Sequence, residues 1–134
     1  MTDSSLRNRL TASIDTIESA YEFLLAYAAQ GRHTDRGAAA GQSPRDRLAA
    51  MADAMTKLPA IARELAGSKA TAGASDYEAF LDALERDAAT SVAGVRLVLS
   101  VPDISSQIVD NLNASIHVRA LLTDMFLIDE ALKG

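Results

Sequence analysis

The sequence predicts an all-α fold, an antiparallel up-and-down four-helix bundle whose second helix is kinked at Pro59. Three observations carry that expectation. Alanine fills about a fifth of the 134 positions and aromatics only 4%, which suits closely approaching helices and leaves little of the bulk that sheets bury. Two stretches rich in Gly, Ser and Thr, 31–42 and 67–74, and a shorter break at Val101-Pro102-Asp103 divide the chain into four segments. Within each segment apolar residues recur at spacings of three and four, the period of one helix face.

The first helix, expected over about 4–30, carries Leu6, Leu10, Ile14, Ile17, Tyr21, Leu24 and Ala28 on one stripe and stops at Gly31. The second, about 44–66, opens with Ser43 as N-cap and Pro44 at the first helical position. Its stripe is Leu48, Met51, Met55, Leu58, Ala62 and Leu65, and Gly67 ends it. Pro59 has no N–H for the Met55 carbonyl, so it should kink the helix without splitting the stripe. The third, about 76–100, begins with the capping-box pattern Ser75-Asp76-Tyr77-Glu78 and runs through Tyr77, Leu81, Leu84, Ala88, Ser91 or Val92, Val95 and Val98. Its β-branched end, Val95 to Val101, is read as helix because a lone strand would have no partner and the phase is unbroken. The fourth, about 104–132, is capped by Asp103 and carries Ile104, Ile108, Leu112, Ser115 or Ile116, Leu122, Met125 and Ile128 or Asp129, with Leu132 near the end and only a mild polar break at Ser115. Helices of this length span roughly 35–45 Å, and short connections favour antiparallel neighbours in one domain covering 1–134.

Charge and composition narrow the chemistry. With 13 Lys and Arg against 18 Asp and Glu the net charge is -5, which together with the lack of aromatics among the arginines disfavours nucleic acid. There is no cysteine, so disulfides, thiolate nucleophiles and thiolate metal sites are excluded. No apolar run reaches a membrane-spanning length, and the polar start Met1-Thr2-Asp3-Ser4-Ser5 lacks the pattern of a signal peptide. The expectation is a cytoplasmic protein without cofactor, membrane or nucleic-acid partner. Acidic rows at Asp15, Glu18, Glu22 and at Glu78, Asp82, Glu85 suggest facing metal ligands, but no glutamate has a histidine three residues later, so they are read as solvated faces with no metal. Hydrolase, zincin, nucleotide-phosphate and dinucleotide signatures are absent.

Three groups of residues remain as candidates. Arg32, His33, Arg36, Arg45 and Arg47 gather positive charge around the first connection, where an anion or acidic partner could dock beside the N–H groups following Ser43. A polar run on the fourth helix, with Asn111, Ser115, His117 and Arg119, could line an inter-helix pocket together with Tyr21. The third is an excess of apolar width. Tyr21, Phe23, Leu24, Leu25 and Tyr27 surround the end of the first helix, and Leu121, Leu122, Met125, Phe126, Leu127 and Ile128 do the same near the end of the fourth. One bundle cannot bury them all, and each exposed Phe or Leu forgoes about 1.5–3 kcal/mol. Phe23, Tyr27, Leu121, Phe126 and Leu127 are therefore expected at a homodimer or partner interface. The function expected is a non-catalytic protein–protein interaction module, a small dimeric adaptor or assembly factor. The alternative is a ligand-binding or catalytic bundle using the polar pocket.

Overall fold

The computed structural model describes residues 2–38, 43–69 and 73–133. All regular structure among them is helical, in five helices: α1 (Asp3–Ala28), α2 (Pro44–Lys69), α3 (Ala74–Ser100), α4 (Ser106–Asn113) and α5 (Ile116–Lys133). None is long and apolar enough to cross a membrane. The loops expected at 31–42 and 67–74 fall in part, at 39–42 and 70–72, outside the described residues.

The helices close a ring. α1 packs on α2, α2 on α3, α3 mainly on α5, and α4 returns to α1. Single contacts give the directions. Arg47 at the start of α2 lies over Phe23 near the end of α1, and Arg63 late in α2 holds Asp82 and Glu85 early in α3. Tyr77 at the start of α3 donates to the Ala131 carbonyl at the end of α5. Neighbours thus run in opposite directions, as short connections require.

The core is built from the expected stripes with local shifts of phase. All six α2 stripe residues are buried, as are Leu81, Leu84, Ala88, Ser91, Val92, Val95 and Val98 on α3. α2 continues unbroken through Pro59, which is itself buried, and runs past Gly67 to Lys69. On α1, Ala20 and Tyr27 are buried where the stripe placed Tyr21 and Ala28. Tyr27 goes inside because its hydroxyl finds the Ile104 carbonyl at 2.6 Å, which satisfies its polar end.

The main correction is the fourth helix, which is two. α4 ends at Asn113, the Ser115 carbonyl accepts the Arg119 N–H at 3.2 Å, and α5 starts afresh at Ile116. The break resets the rotational phase. Ile116 is therefore 73% exposed, and Val118 and Leu121 are buried where Leu122 was expected, while Met125, Ile128 and Leu132 are buried as the stripe placed them. Two caps also differ from expectation. Ser105, not Asp103, caps α4 by accepting the Ile108 N–H at 3.1 Å. α3 starts two residues early from Gly73, whose φ of 87° turns the chain in without a side-chain cap. At α2 the expected cap is present: Ser43 Oγ accepts the Arg45 N–H at 3.1 Å.

Candidate functional site

The five cationic-loop residues do not form an anion site. Arg45 turns inward from the first turn of α2. Its Nε bonds Asp35 at 2.7 Å, and its two terminal nitrogens donate to the carbonyls of Leu99, Val101 and Pro102 at 2.8–3.1 Å. Those carbonyls lie at and just after the C-terminus of α3, where helix acceptors lack intrahelical donors, and a planar guanidinium reaches several at once. Asp35 is buried, and its other oxygen accepts the Ile104 N–H at 2.8 Å. Burial opposes its charge, but the Ile104 N–H and Arg45 outweigh that and hold the carboxyl below the usual aspartate range.

The same knot continues through Ser106. Its Oγ donates to the Tyr27 carbonyl at 2.7 Å and accepts the Arg32 N–H at 2.8 Å, while its own N–H donates to the Arg32 carbonyl at 2.8 Å. Gly31, at a φ of 66°, makes the left-handed turn that brings Arg32 round to it. Arg32 then donates to the carbonyls of Thr34 and Arg36, and Arg36 and Thr34 meet Asp103. Arg47 sits 4.8 Å from the Phe23 ring centroid and also reaches Ser19. The four arginines are thus spent on internal acceptors or a ring. His33 alone of the five makes no such bond and lies exposed, beside an open crevice of about 420 Å³ that Asp110 also lines. What the sequence presents as a positive patch is the clasp joining the α1–α2 loop to the α3–α4 loop.

The polar-pocket residues do not converge. Asn111, His117 and Arg119 are exposed, Tyr21 and Ser115 half-buried, and Asn111 takes a bond from Gln107 one turn earlier. The buried polar residue of that run is Asn113, whose side-chain oxygen and nitrogen meet no hydrogen-bond partner. Residues pointing to solvent from separate turns cannot wall an interior pocket.

The apolar candidates divide. Leu121 is fully buried and Tyr27 nearly so, which removes both from any surface, because each is covered by its own core. Phe23 is half-buried under Arg47. The excess on α1 therefore reduces to Leu25, and one exposed leucine needs no explanation. On α5 the excess persists: Phe126 is 45% and Leu127 57% exposed, side by side. Leu127 also lines a shallow cleft of about 160 Å³ between α3 and α5, with Tyr77, Phe80, Ile128 and Ala131. The cleft walls are almost wholly apolar, with Asp76 at the rim.

Two residues that matter here were not singled out from the sequence. Asp35 is the lone acid in Arg32-His33-Thr34-Asp35-Arg36, a position that invites internal neutralisation. Asp124 lies three residues after Leu121 and four before Ile128, so it shares their inner face. Asp87 on α3 stands against it, and burial together with that neighbour raises the Asp124 carboxyl to about 7. Among the described residues no group of three or more acids and histidines is placed to hold a metal ion; Asp82 and Glu85 are paired with Arg63.

Searches against protein-family models, curated proteins and solved structures found no match to this chain.

Proposed function

We propose that this chain is a non-catalytic protein–protein interaction module, a small helical accessory or assembly factor that pairs with a second copy of itself and docks on another protein through α5. In this reading α4 and α5 together take the place of the fourth helix of a bundle, and α5 is the helix that faces out. The observation that carries it is the adjacent exposure of Phe126 and Leu127 beside the apolar α3–α5 cleft.

The energetics set the strength of the contact. Covering the exposed parts of Phe126 and Leu127 is worth on the order of 2 kcal/mol each, so a two-fold contact gathers about 8 kcal/mol from four side chains. Association costs of about 4–15 kcal/mol oppose it. The balance favours a weak, concentration-dependent dimer over an obligate one, and leaves the face available to a different protein. The net charge of -5 also opposes tight self-association at low salt.

Sedimentation equilibrium from micromolar to submillimolar concentration tests this. The mass should climb from 14.2 kDa toward twice that value, and Phe126→Asp should abolish the rise while far-UV circular dichroism stays unchanged. A wild-type mass that stays at the monomer value throughout removes self-pairing. The docking role is tested by comparing wild type and Phe126→Asp as baits in the native host. A partner held equally by both would show that α5 is not the docking face.

A further inference from the structure

Beneath the outward face of α5 lies a pair of acids that the docking role does not use. Asp124 on α5 and Asp87 on α3 meet across the contact of their two helices, at hydrogen-bonding range. Asp124 Oδ2 is sealed from solvent and meets no donor. Both acids are half-buried along the inner face: Asp87 follows Leu84 by three residues and precedes Ser91 by four, as Asp124 does Leu121 and Ile128, and all four flanking residues are buried. Two carboxylates so placed cannot both ionise without putting like charges in contact and leaving a shielded oxygen unpaired. A proton held between them removes one of the two charges.

We propose that Asp87 and Asp124 form a proton-sharing latch between α3 and α5, and that loss of the shared proton weakens the seating of α5. Asp87 is the charged group that acts on Asp124. Arg7 of α1, whose Nη2 is buried without a partner, and Lys133 of α5 meet Asp129, and Arg63 of α2 meets Asp82 and Glu85; on α4, Asp110 faces solvent. The surroundings also mark this side as the one that yields first. Of the five buried side-chain atoms without a partner among the described residues, four belong to Ser91, Asn113 and Asp124, on α3, α4 and α5. α5 itself is joined to α4 only through Ala114 and Ser115.

The direction of the pH effect follows from linkage. In the unfolded chain an aspartate ionises near ~4, whereas in the folded chain burial and Asp87 carry Asp124 up to about 7. Between those values the folded protein holds a proton that the unfolded chain has released. The latch contribution is therefore full below ~4, declines as pH rises through the window, and is gone above the folded value.

The test is the thermal midpoint of wild type, Asp124→Asn and Asp87→Asn between about pH 5 and about pH 8, with carboxyl carbon NMR titration of wild type. Asparagine keeps the shape and provides a permanent N–H donor. Wild type should lose several degrees across the range relative to either variant, and one carboxyl of the pair should titrate near neutrality. Parallel midpoint curves for the three proteins would overturn the latch. So would NMR showing both acids titrating in the ordinary carboxylate range, a result that stands even if a variant fails to fold.

Discussion

Replacing Arg45 with alanine should cost this protein about 2 kcal/mol, a large share of the roughly 5–15 kcal/mol that holds a domain folded. The figure comes from what the side chain touches. Truncation leaves the Asp35 carboxylate with backbone N–H groups alone, that of Ile104 foremost, and uncovers the carbonyls of Leu99, Val101 and Pro102. Breaking one side of a fully buried ion pair costs about 3–5 kcal/mol. The Arg45 side chain is 35% exposed, so water enters the vacated space and re-solvates part of what it leaves, and roughly half that cost should remain. Arg45→Lys should recover only a fraction, because an ammonium on a flexible stem cannot span four acceptors as a fork does. Urea unfolding followed by circular dichroism, with the slope held equal between proteins, measures the difference. The acid limb adds a second check. The Asp35 carboxyl is held below its ordinary range, so its contribution is present at neutral pH and lost as pH falls through the folded value. The gap between wild type and Arg45→Ala should accordingly narrow in acid. A neutral-pH difference under about 0.5 kcal/mol, the level of an ordinary surface substitution, would show that the clasp does not hold the two loops together.

Two further substitutions probe the packing. Tyr27→Phe deletes the donor to the Ile104 carbonyl in a buried setting and should destabilise by about 1–2 kcal/mol with helicity unchanged; the same urea assay reads it, and an unaltered midpoint would mean that the hydroxyl is not anchoring α1. Gly94→Ala should stabilise by about 0.5–1 kcal/mol. Gly94 lies inside α3, and an added Cβ would meet Leu112 Cδ1 at 3.5 Å, an ordinary contact. A lower thermal midpoint for that variant would show that α3 and α4 approach more tightly than this spacing.

The apolar excess on the two ends of the chain shows how side-chain type and surroundings divide the work. Phe23 and Phe126 look alike in the sequence, each within a crowded apolar turn. In the fold Arg47 arrives from α2 to cover Phe23, while nothing covers Phe126 to the same degree. The arginines of the first connection carry the same lesson. Their count suggests an anion site, yet their partners are carbonyls and acids from distant segments, such as Leu99 and Asp103.

By itself the amino-acid order determined the helical class, the three long helices to within a few residues, all of the buried residues on α3 and the main stripe on α2, though not Ala52, Ala54 and Ile61 beside it. Those features depend on local periodicity, capping at Ser43 and the absence of sheet-forming bulk, all of which act over a few neighbouring residues. Tertiary structure alone decided the break at Ser115, the burial of Tyr27 and Leu121, the inward turn of Arg45 and the meeting of Asp87 with Asp124. Each depends on what stands opposite in space. A serine ends a helix only if the two halves bury better apart. An arginine is a surface charge or a clasp according to whether unpaired carbonyls lie within its reach, and two aspartates affect each other's protonation only when the fold brings them face to face.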